Sequence, residues 1–211
     1  MIGKKIISYV DESEDLLSLD AAIAHTNIIR GDQDADILDK IDEAIDWCSS
    51  QVGYSIRRAN VDYYFGANVE PDLIISHELY SGTFLRIPAN VLSVEAVYYR
   101  NTSNTETLLS ASDYEFVNIG EHIPKIRIIN SPDMSDTGYG YRVRVVEGWY
   151  TSENGSTGNA LDVLPYQIKS AIKMAFVSLY ENRNDVGIVQ TYKLQEGATA
   201  RLMPFVKFQI L

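Results

Sequence analysis

The sequence predicts an α+β fold: a small helical bundle interrupted by an antiparallel β-rich insertion and followed by an extended C-terminal tail. Three observations predict it. Two segments, near residues 37–52 and 168–179, carry apolar residues at helical spacing. Between them, from about 57 to 150, β-branched and aromatic residues alternate with polar ones between turn signals. The last eleven residues, Arg201–Leu211, turn apolar and aromatic after a polar stretch.

In chain order, residues 1–17 show no clear period and read as an acidic N-terminal arm. Ser18 is placed to cap a short helix over Leu19–His25. A turn at 31–34 precedes the first strong helix. Ile37, Ile41, Ala44, Ile45, Cys48 and Val52 form one apolar stripe, Asp34 and Asp36 suit the positive end of the macrodipole, and Gly53 is a natural stop. Strands are expected at 61–65, 83–87 (ended by Pro88), 92–98, 114–117, 125–129 and 141–146, as in an antiparallel sheet or small sandwich. Residues 151–160, TSENGSTGNA, are a loop. A second strong helix is expected from near Asp162, with Pro165 in its first turn and Ile168, Ile172, Ala175, Phe176 and Leu179 as its stripe; it fades over 181–184. Residues 185–200 read as mobile. The resulting division is 1–17 arm, 18–56 N-terminal helices, 57–150 β-rich insertion, 151–184 loop and C-terminal core helix, and 185–211 tail.

Composition narrows the function. The 211 residues suit one domain, or one domain with a sub-domain, and need no disulfide staples. Hydrophobic residues make up 45% and charged residues 22%, which argues against disorder. No apolar run approaches the length of a membrane span, so no membrane partner is expected. The single cysteine permits no intramolecular disulfide and points to a reducing compartment. The net charge is −11, and −8 of it lies before residue 49; such a surface repels nucleic acid phosphates. From Lys169 onward the balance is +3, an asymmetry able to orient a subunit against its neighbours.

No constellation nominates catalysis or a cofactor. His25, His77 and His122 form no HExxH pattern. Cys48 sits on a helix stripe in an acidic neighbourhood, which suits a small core hydrophobe better than a nucleophile. Asp32, Asp34 and Asp36 with Glu43 imitate part of a calcium loop, but the sixth position is Ile37 rather than the turn-forming glycine, so helix capping is the better reading. The pairs Tyr63-Tyr64 and Tyr98-Tyr99 should put one ring on each face of a sheet, and the 14 tyrosines fit an interface protein as well as an amphipathic sheet.

Several passages resemble the head–tail connector, or adaptor, proteins of long-tailed bacteriophages and gene transfer agents. Leu17-Ser18-Leu19-Asp20-Ala21-Ala22 is similar to the family's opening helix, and Asp34 to Ile56 to its second helix and following turn. Leu85-Arg86-Ile87-Pro88 with Val91-Leu92-Ser93-Val94 is similar to its L-P-x-x-P-L-x-S-V passage, with Ala89 and Asn90 where a second proline is usual. Val143-Arg144-Val145 with Glu147-Gly148-Trp149-Tyr150 resembles its strand-to-AGY passage. Leu164-Pro165 through Leu179-Tyr180-Glu181-Asn182-Arg183 is similar to the YENRE ending of its last helix, and Met203-Pro204-Phe205 to its tail. The order and spacing of these pieces carry the resemblance, over residues 17–211 and without the acidic arm.

The resemblance implies a non-enzymatic virion protein of the neck, assembled in the host cytoplasm. It implies a homo-oligomeric ring, usually of twelve subunits, under the portal vertex, extending a DNA channel whose DNA passes without sequence-specific binding. It implies a portal-binding tail (Arg201, Leu202, Met203, Pro204, Phe205, Val206 and Phe208) and an opposite side that receives a tail or tail-completion protein. A ring needs two unlike faces; the charge asymmetry offers Asp39, Asp42 and Asp46 against Lys169, Lys173 and Arg183 as inter-subunit candidates. Deleting Arg201–Leu211 is expected to leave a folded domain. The alternatives are another ring-forming tail-completion protein (a stopper or tail terminator) and, from a different class, a carbohydrate-binding module or hydrolase built on the β-rich middle.

Overall fold

The computed structural model describes residues 3–11, 16–26, 34–66, 83–117, 124–134, 139–150, 163–181 and 191–206. The elements in order are β1 (Gly3–Tyr9), α1 (Leu19–Thr26), α2 (Asp34–Val52), β2 (Ala59–Gly66), β3 (Thr83–Arg86), β4 (Val91–Arg100), β5 (Glu106–Leu108), β6 (Tyr114–Val117), β7 (Lys125–Ile128), β8 (Tyr139–Glu147), α3 (Tyr166–Glu181) and α4 (Thr191–Leu202). Short 3-10 turns cover Ala111–Asp113 and Met203–Phe205. The chain has an α+β fold and divides into two compact units. One holds Met1–Ser8 and Ala59–Glu147, the other Tyr9–Arg58 and Gly148–Leu211.

The helical unit forms because its stripes are continuous. The predicted α2 stripe, Ile37, Ile41, Ala44, Ile45, Cys48 and Val52, is wholly buried. It packs on α3, whose Ile168, Ala171, Ile172, Ala175 and Phe176 are also buried. Each large side chain so buried contributes roughly 1.5–3 kcal/mol. Ser18 Oγ accepts from the Ala21 N–H at 3.3 Å, capping α1. Gly53, with φ +86°, terminates α2 in the left-handed conformation. Pro165 stands just before α3 rather than inside its first turn, and its carbonyl accepts from the Ile168 and Lys169 N–H groups.

Two expectations fail here. Residues 185–211 are not simply a tail: Thr191–Leu202 is a helix packed on α3, with Ala198 and Leu202 fully buried. Gly197 faces Met174, whose flexible end would lie 2.6 Å from a Cβ there. The apolar spacing Leu194, Ala198, Leu202 is present in the sequence but diluted by Gly197 and by polar neighbours. Likewise, residues 1–17 are not merely an arm. Gly3–Tyr9 is the outermost strand of a sheet, and its residues 5–9 are exposed on both faces, which is why no two-residue period marks it. Beyond it the Val10 N–H donates to the Arg58 carbonyl at 2.7 Å, and the buried Asp11 carboxylate accepts two N–H bonds from the Arg58 guanidinium.

The β unit contains a five-stranded sheet, β1-β2-β8-β4-β5, and a three-stranded sheet, β3-β7-β6. The β2–β8, β8–β4, β4–β5, β3–β7 and β7–β6 pairings are antiparallel. In the larger sheet Val61, Tyr63, Phe65, Tyr141, Val143, Val145 and Val97 share the buried face. In the smaller one Leu85, Ile126 and Ile128 do so. Strand β5 was not anticipated; three residues beside an Asn/Thr/Ser-rich turn give too short a pattern.

The strands that open and close the main β segment are partners from their first pair, Ala59 with Glu147. Just beyond, Gly148 holds φ +118°, and a Cβ there would stand 2.5 Å from the Arg57 carbonyl oxygen. Only glycine fits that approach. Gly148→Ala is therefore expected to lower unfolding free energy by about 3 kcal/mol, seen as a lower midpoint in urea.

Candidate functional site

The side chains that the sequence raises for chemistry are placed differently from one another. Cys48 is buried in α2, and burial pushes its thiol up to about 12, so almost none of it is thiolate at neutral pH. His25 is exposed in the last turn of α1; His77 and His122 lie outside the described residues. Asp34 and Asp36 are in the first turn of α2 and Ile37 is buried within it, while Asp32 lies outside the described residues. Among the described residues no cluster of three or more His, Cys, Asp or Glu is placed to hold a metal, and no helix is long and apolar enough to cross a membrane.

The proposed assembly residues are distributed unevenly. Asp42 and Asp46 both face Arg57, at 3.2 and 3.7 Å, and the Arg57 guanidinium also stacks 3.8 Å from the Tyr9 ring centre. Asp39 is exposed on the same helix. Lys169 and Lys173 are half-buried on α3, and Arg183 lies outside the described residues. In the tail, Leu202 is buried, and Phe205 meets Trp149 edge-to-face with ring centres 6.0 Å apart. Val206 is half-buried; Arg201, Met203 and Pro204 face outward; Phe208 lies outside the described residues. Removing 201–211 would therefore expose the Leu202 socket and the Trp149 ring, so the truncation is expected to destabilise the unit rather than leave it intact.

Two ion-pair systems in the β unit were not foreseen. On the apolar face of the large sheet, Glu147 is completely buried; Lys4 Nζ donates to it at 2.7 Å and the Tyr63 hydroxyl also donates. Burial, with the neighbouring carboxylate second, holds the Tyr63 hydroxyl far above its ordinary range, so it remains a donor. On the opposite face, Asp62 accepts from Arg142 Nη1 at 2.9 Å and from Arg144 Nε and Nη2 at 2.8 and 2.9 Å. Arg142 also donates twice to Glu106 and stacks 3.9 Å from the centre of the Tyr98 ring. Tyr139 donates to Glu106, meets Tyr64 edge-on, and carries the Arg100 guanidinium 4.3 Å from its centre. Tyr63 and Tyr64 do take opposite faces. The alternation Tyr141-Arg142-Val143-Arg144-Val145 marked two arginines for one face, but their partners come from strands distant in sequence.

Asp62 and Glu106 between them pair with Arg142 and Arg144, while Arg100 lies over Tyr139 and donates to Asn104, so most of the cationic charge on this face is already paired rather than open to phosphate. Hydrogen bonds from Arg142, helped by Tyr139, hold the Glu106 carboxyl below its ordinary 4.5. A carboxyl lowered on folding contributes stability that is complete above its unfolded value and is lost as pH falls through its folded value. The stability gap between the wild-type chain and Glu106→Gln is thus expected to be widest near pH 7 and to close below about pH 4.5, measured by urea unfolding across pH.

No protein-family model matches the chain, and no curated protein matches it. Its fold does match solved structures. It is similar over its whole length to a chain, 98% of which is covered, in the neck of the empty gene transfer agent (GTA) particle computed with C6 symmetry, with TM-score 0.71 and 16% identity. A chain in the virion of the native GTA particle matches with the same coverage, TM-score 0.71 and 17% identity. One in the neck of the native particle computed with C12 symmetry matches likewise, with TM-score 0.69 and 17% identity. At these identities it is the fold that is shared, from end to end.

Proposed function

We propose that this chain is a structural subunit of a virion neck: a non-enzymatic head–tail connector forming a ring, of twelve copies, under the portal vertex. The observation that carries the reading is the end-to-end likeness to chains of gene transfer agent neck structures, one of them computed with C12 symmetry. The internal pairing of the sheet arginines and the net charge of −11 support a channel past which DNA slides without being held.

In this reading one side of the ring meets the portal protein and the other receives a tail or tail-completion protein. Arg201, Met203 and Pro204 make the portal contact, together with Phe208. Leu202, Phe205 and Val206 anchor that segment to its own helical unit. Asp39 on one subunit faces Lys169 and Lys173 on the next, with Asp42, Asp46 and Arg183 in supporting roles.

Two measurements test this. Native mass spectrometry of the chain, alone and mixed with portal rings, is expected to show a discrete high-order oligomer; a chain that stays monomeric in both would overturn the reading. Met203→Glu is expected to abolish portal capture with an unchanged urea midpoint, whereas Leu202→Ala costs about 2–5 kcal/mol of stability. Normal portal capture by Met203→Glu would remove the tail from the interface.

A further inference from the structure

Strand β1 is fastened at its two ends and lightly packed between them. Residues 5–10 are all exposed, with Ile6, Ile7, Tyr9 and Val10 at 40%, 42%, 43% and 49%. Apolar burial therefore contributes little to holding this span on the sheet. Its neighbour β2 is of the opposite kind, with Ala59, Val61, Asp62, Tyr63 and Phe65 buried.

The first fastening is Lys4, whose Nζ donates at 2.7 Å to the fully buried Glu147, where the Tyr63 hydroxyl is a second donor. The second is Arg58. Its carbonyl accepts from the Val10 N–H at 2.7 Å, and its Nε and Nη2 both donate to the buried Asp11 carboxylate. The same guanidinium stacks 4.7 Å from the centre of the Tyr150 ring. Between the two, Asn60 Nδ2 donates to Ser8 Oγ at 3.0 Å, in an exposed position. Lys4 and its partners lie in the β unit, Arg58 and its partners in the helical unit, because the chain passes from one to the other between Ser8 and Tyr9.

We infer that residues 3–11 are a strap, a segment with a charged lock at each end that opens and closes as one piece while β2, β8 and β4 stay folded. The basis is where the free energy of attachment sits. Hydrogen bonds between charged groups are stronger than neutral ones, so the locks outweigh the contacts of the exposed span. An edge ladder with little packed over it opens locally rather than with the core. Nothing in the span would arrest an opening begun at either end, so each lock weighs on the same opening. The open state leaves β2 as the outermost strand of the sheet. The strap does not depend on the ring reading above.

Hydrogen exchange of the full chain, read by mass spectrometry on overlapping peptides, tests this. Asp11→Asn removes the charge of one lock. Lys4→Met removes the other, and Glu147→Gln does so without leaving a buried carboxylate short of its cation. Each variant is expected to speed exchange about tenfold or more over the whole of 3–11, the far end included. Exchange in β2 should rise with it, while β4 keeps its wild-type rate. Circular dichroism of each variant checks folding.

Faster exchange confined to the end whose lock was removed would show two independent ends and overturn the strap. Equal acceleration in β4 would show that β1 opens only with the whole sheet, and would overturn it as well. Wild-type rates over 3–11 in all three variants would mean that the locks do not hold the segment.

Discussion

The architecture rests on one closure. The β segment is inserted in the helical unit's sequence, and an insertion is tolerated only if its ends are neighbours. Here β2 and β8 are paired from Ala59 and Glu147 onward, and the residues just outside them meet at backbone distance. Gly148 lies against the Arg57 carbonyl, the Trp149 N–H donates to the Ile56 carbonyl at 3.2 Å, and the Arg58 guanidinium stacks over Tyr150 while gripping Asp11. Without a glycine at 148 the two passes of the chain could not lie this close. The helical unit can then assemble from α1 and α2 before the insertion and α3 and α4 after it.

Electrostatics do different work on the two faces of the large sheet. Glu147 is buried, and a buried carboxylate is tolerable only when paired and hydrogen-bonded. Lys4 supplies the charge and Tyr63 a neutral donor, so the N-terminal strand is held by an ion pair as well as by its ladder. On the other face the planar guanidinium groups are stacked on tyrosines and forked onto Asp62 and Glu106, arrangements that lysine could not reproduce. The same face fixes β5, the shortest strand, since Glu106 is gripped by Arg142 from β8.

Three titratable groups are spent on packing: Cys48 in a helix stripe, Glu147 under Lys4, Asp62 beneath two arginines. The exposed large hydrophobic side chains among the described residues are Ile6, Ile7, Tyr9, Val10, Leu108, Ile129, Tyr166 and Met203. Scattered exposed hydrophobes are ordinary on any surface. Ile6, Ile7, Tyr9 and Leu108 stand on the outer strands of the large sheet, and Met203 in the turn after α4.

The α+β class, the α2 and α3 stripes, the α1 cap, the Gly53 stop and most strands of the β unit are legible along the chain. Each rests on local physics: a period of 3.6 or 2, a capping side chain, a glycine at a helix end. That residues 3–9 form a strand is set by long-range pairing, because an outer strand whose residues 5–9 are all exposed has no period and is held through β2. Tertiary packing decided that 191–202 is a helix, because a weak stripe gains its stability from the socket offered by α3. It decided which charges are available, since Asp42 and Asp46 meet Arg57, and Asp62 meets Arg142 and Arg144, across separations in sequence that no local pattern encodes. Local order is written in neighbours along the chain; pairing between distant strands and docking of the last helix are written only in how the whole chain closes.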